Sequence, residues 1–142
     1  MKVSLAGPGD VELLLAMAAE FNQIDGHPHD DARVRAALLP LLVDDHLGIV
    51  YLLGEPAIGY AVVTWGYSIE SGGRDALLDE IYVRPRGQGL GGAGFDAVLD
   101  DLRQRGLPRI FLETERSNER VRRFYARHGF VEEDSIWMSR KL

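Results

Sequence analysis

Apolar residues recur at spacings of three and four in four segments of the chain, a pattern that predicts four helices. Asp10 can cap the first helix and Asp30 or Asp31 the second. The predicted helices cover residues 11–21, residues 31 to about 42, residues 90–105 and residues 118–128. Gly94 lies inside the third helix. An internal glycine weakens a helix by about 1 kcal/mol relative to alanine. Its presence despite this cost indicates close packing that leaves no room for a larger side chain.

Short apolar runs bounded by glycine, proline and polar turn residues predict the strands. They lie at residues 2–6, 48–53, 57–67, 76–83, 108–114 and 130–138. The predicted order is therefore β-α-α-β-β-β-α-β-α-β, with hairpins first and one β-α-β crossover later. This order predicts an α+β (mixed α/β) fold with a central mixed, mostly antiparallel sheet. The length of 142 residues, without a linker or a repeat, predicts one domain over residues 1–142.

Composition excludes several classes of protein. The absence of cysteine excludes disulfides, cysteine nucleophiles and thiolate metal sites. No apolar run approaches the roughly 20 residues of a membrane span, and no export signal precedes the first strand, so we expect a cytoplasmic protein without a membrane partner. The pair His27 and His29 lacks a further ligand cluster, and we predict no metal site. If the protein forms an oligomer, a homodimer is the expected form.

The net charge of −6 is distributed unevenly along the chain. Residues 1–80 carry 4 Lys/Arg and 13 Asp/Glu, whereas residues 81–142 carry 12 Lys/Arg and 9 Asp/Glu. Overall acidity argues against nucleic-acid binding. The basic second part favours an anionic ligand, and the acidic first part favours a cationic one, although solvated surface charge is the simpler explanation of either excess.

A glycine-rich loop joins a predicted strand to a predicted helix. Its sequence is Arg86-Gly87-Gln88-Gly89-Leu90-Gly91-Gly92. Glycines at such a junction let the backbone approach a ligand closely, and the first N–H groups of the helix point outward at the positive end of its dipole. The loop is therefore a candidate phosphate site, to which an arginine adds further donors.

The glycine-rich segment differs from one known kind of phosphate loop and matches the sequence pattern of another. A Walker A loop requires a lysine that is absent here. The dinucleotide pattern G-x-G-x-x-G is matched by Gly87, Gly89 and Gly92, and Glu113 lies where a ribose-binding acid would follow. The strands before the loop form hairpins, however, and only one helix-strand pair follows the next strand. These two features argue against a dinucleotide-binding oxidoreductase, which remains the alternative interpretation because the glycine pattern matches.

A third interpretation uses more of the chain. The segment Arg86-x-x-Gly89-x-Gly91 resembles the pyrophosphate loop of the GNAT superfamily of N-acetyltransferases. The later segment Asn118-x5-Phe124-Tyr125-x3-Gly129-Phe130 resembles the second signature of the same superfamily, and Asp79-Glu80-Ile81-Tyr82-Val83 resembles the strand before its loop. The resemblance spans nearly the whole chain and implies a GNAT-like fold that uses acetyl-CoA.

The resemblance also implies roles for individual residues. Backbone groups of the strand Ile81-Tyr82-Val83 would hold the acetyl and pantetheine parts of acetyl-CoA, and the N–H groups from Gly87 to Gly92 would hold its pyrophosphate. Asn118 would contact the pantetheine arm. Tyr125 would be the general acid for the departing thiolate, because a phenol with a pKa near 10 retains its proton at neutral pH.

An acceptor amine arrives as an ammonium ion and must lose a proton before it attacks. Asp79 and Glu80 are the candidate bases. Strand alternation predicts opposite faces for them and places Asp79 on the face of Ile81 and Val83, whereas Glu80 remains a possible base if a bulge shifts the register. Trp65 and Tyr67 could box a cationic amine by cation–π contact, with sheet packing as their alternative role.

These observations together predict an acetyl-CoA-dependent N-acetyltransferase. Without a cysteine to form an acyl-enzyme, the amine would attack acetyl-CoA directly in a ternary complex. The expected acceptor is a small cationic amine or a peptide amine. A non-catalytic acyl-CoA-binding regulatory module is a further alternative, because the same loop could bind CoA without turnover.

Overall fold

The structure is a computed structural model that describes residues 1–85 and 88–142. It contains two compact units, Met1–Leu112 and Glu113–Leu142. The first unit holds the sheet and the first three helices, and the second holds the last helix. The single domain over residues 1–142 stays a prediction, and the two units are described separately below.

The first unit is built on a five-stranded sheet in the order β1-β2-β3-β4-β5. Its strands are β1 (Val3–Leu5), β2 (Gly48–Leu53), β3 (Gly59–Ser68), β4 (Gly73–Val83) and β5 (Ile110–Phe111). The first four strands pair antiparallel, and β5 pairs parallel to β4 after the crossover. The predicted α+β fold with a mixed, mostly antiparallel sheet is therefore confirmed.

Four helices accompany the strands in the described residues. They are α1 (Val11–Asp25), α2 (Asp31–Val43), α3 (Leu90–Gln104) and, in the second unit, α4 (Glu119–Arg127). A 3-10 turn over Pro8–Asp10 leads into α1, and Gly26 ends α1 in the left-handed conformation with φ of 70°. The Asp30 carboxylate caps α2 by accepting from the Arg33 N–H at 3.2 Å. None of these helices is long and apolar enough to span a bilayer.

The main apolar core lies where α1 and α2 pack on the sheet. Leu14 and Met17 of α1 belong to one buried cluster with Tyr60 and Val62 of β3 and with Tyr82 of β4. Helix α3 contacts β1 and β4. A Cβ at Gly94 of α3 would lie 3.0 Å from the Met1 sulfur and 3.4 Å from a Leu53 methyl. The close packing predicted at Gly94 is therefore confirmed.

Two predicted strands differ from the structure. The strand predicted over residues 108–114 is limited to β5, because only Ala76 and Leu77 of β4 pair with it. Residues 130–138, predicted as a final strand, form no strand. A strand requires a hydrogen-bonded neighbour, and none of the strands in the described part of the chain pairs with this segment. Its apolar residues Val131, Ile136, Trp137 and Met138 are exposed.

Candidate active site

The outer edge of β4 is open over its second half. Strand β5 pairs with β4 only at Ala76 and Leu77, and no other strand of the described residues pairs with this edge. The Arg84 N–H donates to the Ile58 carbonyl next to β3 at 2.8 Å. Because backbone groups alternate in direction along a strand, those of Ile81 and Val83 point to the open edge.

Tyr82 is placed differently from the two residues beside it. The same alternation directs its N–H and C=O toward β3. Its hydroxyl donates to Glu20 at 2.9 Å, and the Arg84 guanidinium donates to the same carboxylate oxygen at 2.6 Å. This arginine holds the pKa of Glu20 below its usual value. Tyr82 thus anchors β4 to α1, and a ligand at the open edge would meet Ile81 and Val83.

A β-bulge interrupts β4 at Asp79. Val62 of β3 lies opposite Glu80, and Val63 lies opposite Leu78, so Asp79 is the additional residue. A bulge breaks the two-residue alternation of a strand. Asp79 and Glu80 consequently line the same cavity. The prediction that they lie on opposite faces, with Asp79 on the face of Ile81 and Val83, is wrong for this physical reason.

The cavity lined by both acids has a volume of about 530 Å³ and lies in the first unit. Apolar side chains from α1, α2 and β3 form much of its wall, and Asp30 and Arg33 stand at the beginning of α2. The lining comprises Leu14, Ala18, Pro28, Asp30, Arg33, Val34, Ala37, Leu38, Leu41, Tyr60, Val62, Asp79 and Glu80. A volume of this size suits a small molecule or the end of a longer chain.

Glu80 is the more buried of the two acids, and Tyr60 holds it. The Tyr60 hydroxyl donates a hydrogen bond to Oε1 of Glu80. Burial raises the pKa of the Glu80 carboxyl above its usual value, while the hydrogen bond from Tyr60 lowers it. The nearby charge of Asp79 raises this pKa as well. A carboxylate with a raised pKa is a stronger base, as proton abstraction from an ammonium ion requires.

The glycine loop is described from Gln88 onward. Arg86 and Gly87, both predicted to bind the pyrophosphate, lie outside the described residues. Gly89 precedes α3 with φ of 74°, a left-handed conformation that favours glycine. Leu90, Gly91 and Gly92 form the first turn of α3, where N–H groups have no acceptor four residues earlier within the helix. A Cβ at Gly91 would lie 3.9 Å from a Val83 methyl, so α3 begins beside the end of β4.

The second unit contains Asn118 and Tyr125. The Asn118 side-chain oxygen caps α4 by accepting from the Val121 N–H at 3.2 Å. Tyr125 lies on α4 with its ring 5.6 Å from that of Phe130 and 5.2 Å from that of Phe124. Burial raises the pKa of the Tyr125 phenol above its usual value of 10.0, so it is protonated at neutral pH. The roles of both residues in the site stay predictions.

Trp65 belongs to a different cavity from the two acids. It lines a space of about 300 Å³ together with Asp45, Arg74 and Arg105. Its indole N–H donates to the Asp45 carbonyl at 2.7 Å, and the Arg74 guanidinium lies 5.5 Å from its ring centre. Trp65 is therefore not placed to surround a cationic acceptor that binds at Asp79 and Glu80.

Sequence reasoning missed Tyr60. This residue lies in the apolar run of β3, and its burial is what that run predicts for any large side chain. Its contact with Glu80 follows from the register of β3 and β4 and from the bulge. A tyrosine among aliphatic residues, whose hydroxyl needs a partner when buried, was the available signal.

Comparison with known proteins agrees with this geometry. The sequence model of the acetyltransferase (GNAT) family matches residues 13–130. An inferred acetyltransferase from Arthrobacter sp. FB24 has a solved structure with a TM-score of 0.87 and 30% identity, over 100% of this chain and 96% of that one. A predicted acetyltransferase from Clostridium acetobutylicum, solved with acetyl-CoA, has a TM-score of 0.79 at 18% identity, over 99% and 95% of the two chains.

One similar protein is known by its activity. A stretch of 62 residues is 44% identical to the mycothiol acetyltransferase of Beutenbergia cavernae. The match covers 40% of this chain and 21% of that protein, so the matched stretch corresponds to about a fifth of this relative's length.

Proposed function

Because the chain belongs to the acetyltransferase (GNAT) family, we propose that it transfers the acetyl group of acetyl-CoA to a primary amine. One observation carries this proposal. The open edge of β4 and the cavity lined by Asp79 and Glu80, here called the acidic cavity, are formed by adjacent residues of a single strand. A donor held at Ile81 and Val83 would present its acetyl group next to an acceptor held at Asp79 and Glu80.

The donor would bind by backbone hydrogen bonds. A pantetheine arm carries amide groups, and it can pair with the outward N–H and C=O groups of Ile81 and Val83 as an added strand would. Its pyrophosphate would lie against the first turn of α3, at the N–H groups of Leu90 and Gly91. It would also lie beside Gly92, whose own N–H donates to the Gly89 carbonyl at 3.3 Å. Gln88, Gly89 and the sequence-predicted Arg86 and Gly87 would complete this contact, and Asn118 would contact the arm.

The acceptor would be a small cationic amine or the amino end of a peptide. Asp30, Asp79 and Glu80 line the cavity, and carboxylates favour a cation over a neutral or anionic ligand. The apolar wall from α1 and α2 would receive the hydrocarbon part of the acceptor. An aliphatic amine with a second positive charge combines both features.

The chemical step would be direct transfer. Glu80 would take a proton from the acceptor ammonium, and the freed nitrogen would attack the thioester carbonyl carbon. A carbon–nitrogen bond forms, the carbon–sulfur bond breaks, and the CoA thiolate leaves. The attacking nitrogen then loses its second proton to solvent water, which leaves a neutral amide. Tyr125 would then give its proton to the thiolate sulfur. The chain has no cysteine, which supports attack without an acyl-enzyme.

The dinucleotide alternative is not supported by the fold. A dinucleotide-binding fold has a mostly parallel sheet with ligands at a switch in strand order. Here the strands follow one another in sequence order, and only β4 and β5 of the described strands are parallel. A non-catalytic acyl-CoA-binding module would use the same open edge but would show no turnover.

Binding and turnover measurements test the proposal together. Isothermal titration with acetyl-CoA should give saturable binding, whereas NADH should give none. A panel of amines is then assayed by release of the CoA thiol with a thiol-reactive dye, to which the protein contributes no thiol of its own. Amine-dependent release supports the enzyme. Binding of acetyl-CoA without release on any amine would support the regulatory module instead.

A further inference from the structure

Tyr60 joins the core to the acidic cavity. Its side chain is 2% exposed, and its ring lies 6.1 Å from that of Tyr82 on the neighbouring strand. The ring packs within the apolar core, while the hydroxyl reaches Oε1 of Glu80. A phenylalanine would supply the same packing, so the hydroxyl is the part of this side chain that packing does not explain.

We propose that Tyr60 is the positioning residue for Glu80: its hydroxyl fixes one carboxylate oxygen and directs the other toward the acceptor amine. The proposal rests on the proposed function of Glu80 as the base. Tyr60 acts through Glu80 and exchanges no proton with the substrate. A rigid second residue that holds a base in one rotamer reduces misalignment, to which proton transfer is sensitive.

Besides Tyr60 on β3, charged and titratable groups near Glu80 come from four elements. Asp79 precedes it on β4, Asp25 ends α1, His29 lies in the loop between α1 and α2, and Asp30 and Arg33 begin α2. Asp79 and Asp25 raise the pKa of Glu80, whereas His29 lowers it. Acidic residues thus predominate around this carboxylate.

Tyr60 is the group in these surroundings that stabilises the ionised carboxylate by a hydrogen bond. Loss of its hydroxyl should therefore raise the pKa of Glu80 further. Because the base must be ionised, the acidic limb of the kcat/KM profile would then shift to higher pH. A hydrogen bond to a charged group is worth enough to move such a limb by about one pH unit.

The test compares Tyr60→Phe with a matched control. Tyr51 is also buried, and its hydroxyl donates to a carboxylate, Asp101 on α3, at 2.8 Å. Tyr51 does not line the cavity. Tyr51→Phe therefore removes a similar hydroxyl with a similar structural role. We expect Tyr60→Phe to shift the acidic limb upward and lower kcat more than it raises KM, and Tyr51→Phe to leave the limb where it is in the wild type.

A second measurement does not depend on turnover. NMR titration of the protein with ¹³C-labelled glutamate follows the Glu80 carboxyl directly, with Glu80→Gln assigning its signal. An upward shift in Tyr60→Phe alone supports the proposal, and an equal shift in both tyrosine variants, or none in either, overturns it. If Glu80→Gln retains full activity, the proposed base is wrong, whereas loss of activity in Glu80→Gln with an unmoved limb in Tyr60→Phe refutes the role of Tyr60 alone.

Discussion

Gly59→Ala should weaken acetyl-CoA binding by distorting the open edge of β4. Gly59 lies on β3 directly opposite Val83. An added Cβ would lie 2.3 Å from the Tyr82 carbonyl oxygen and 2.9 Å from the Val83 Cα. Both contacts involve backbone, which cannot rotate away as a side-chain end can, so β4 must move.

The size of the effect follows from this geometry. Overpacking of this kind costs about 1–3 kcal/mol of folding free energy. For a chain of this length each kcal/mol lowers Tm by roughly 2–4 °C. The displaced segment is the one whose backbone groups would hold the pantetheine arm. We therefore expect acetyl-CoA to bind about tenfold more weakly or worse, a loss of about 1.4 kcal/mol.

Gly48→Ala is the control that separates distortion of the site from loss of stability. Its added Cβ would lie 2.3 Å from the Val63 carbonyl oxygen and 2.8 Å from the Thr64 Cα, the same kind of contact between β2 and β3. Both variants should lose similar stability in urea denaturation. Isothermal titration should show weaker acetyl-CoA binding only in Gly59→Ala. If the two variants bind acetyl-CoA equally well, the donor does not lie along β4.

Three further substitutions test other parts of the account. Glu80→Gln should lower kcat/KM by about 10²- to 10⁴-fold through loss of the base. Because burial raises the pKa of Glu80, its ionised form destabilises the folded wild-type protein as pH rises through that pKa. Thermal melts should therefore show that the stability of Glu80→Gln relative to the wild type is greater at pH 8 than at pH 4. Tyr125→Phe should lower kcat by about 10²-fold on the true acceptor, and an unchanged kcat would remove it from the mechanism. Glu20→Gln breaks the ion pair with Arg84. Since the pKa of Glu20 in the folded protein is lowered from 4.5, the pair stabilises the fold above that pH, and this stabilisation is lost as pH falls. The variant should therefore lose less stability on acidification than the wild type. A steeper acid loss in Glu20→Gln would contradict the assignment.

Most of the fold could be predicted because the residues that begin and end its helices and strands are visible in short stretches of sequence. Aspartates and glycines bound the helices, and hairpin turns separate β2, β3 and β4. The segment at residues 130–138 shows the limit of this approach. Its apolar residues suit a strand, but pairing depends on a partner that a local pattern does not specify.

The sequence indicated candidate residues for the site but not how two of them, Asp79 and Glu80, are arranged. The sequence indicated Asp79 and Glu80 as acids on one strand, and simple alternation separated them. The bulge places both at the cavity because one residue of β4 has no partner on β3. Tyr60 reaches Glu80 from another strand, 20 positions away in sequence, so only the register reveals the pair.

Hydrogen exchange at the amides of β4 would show whether acetyl-CoA lies along the open edge of this strand. In the free protein, the N–H groups of Ile81 and Val83 point to the open edge, whereas that of Tyr82 points to β3. Saturating acetyl-CoA should slow exchange at Ile81 or Val83 by at least about tenfold and change Tyr82 much less. Acetyl-CoA binding that leaves both outward amides exchanging at their original rates would show that the donor does not lie along β4.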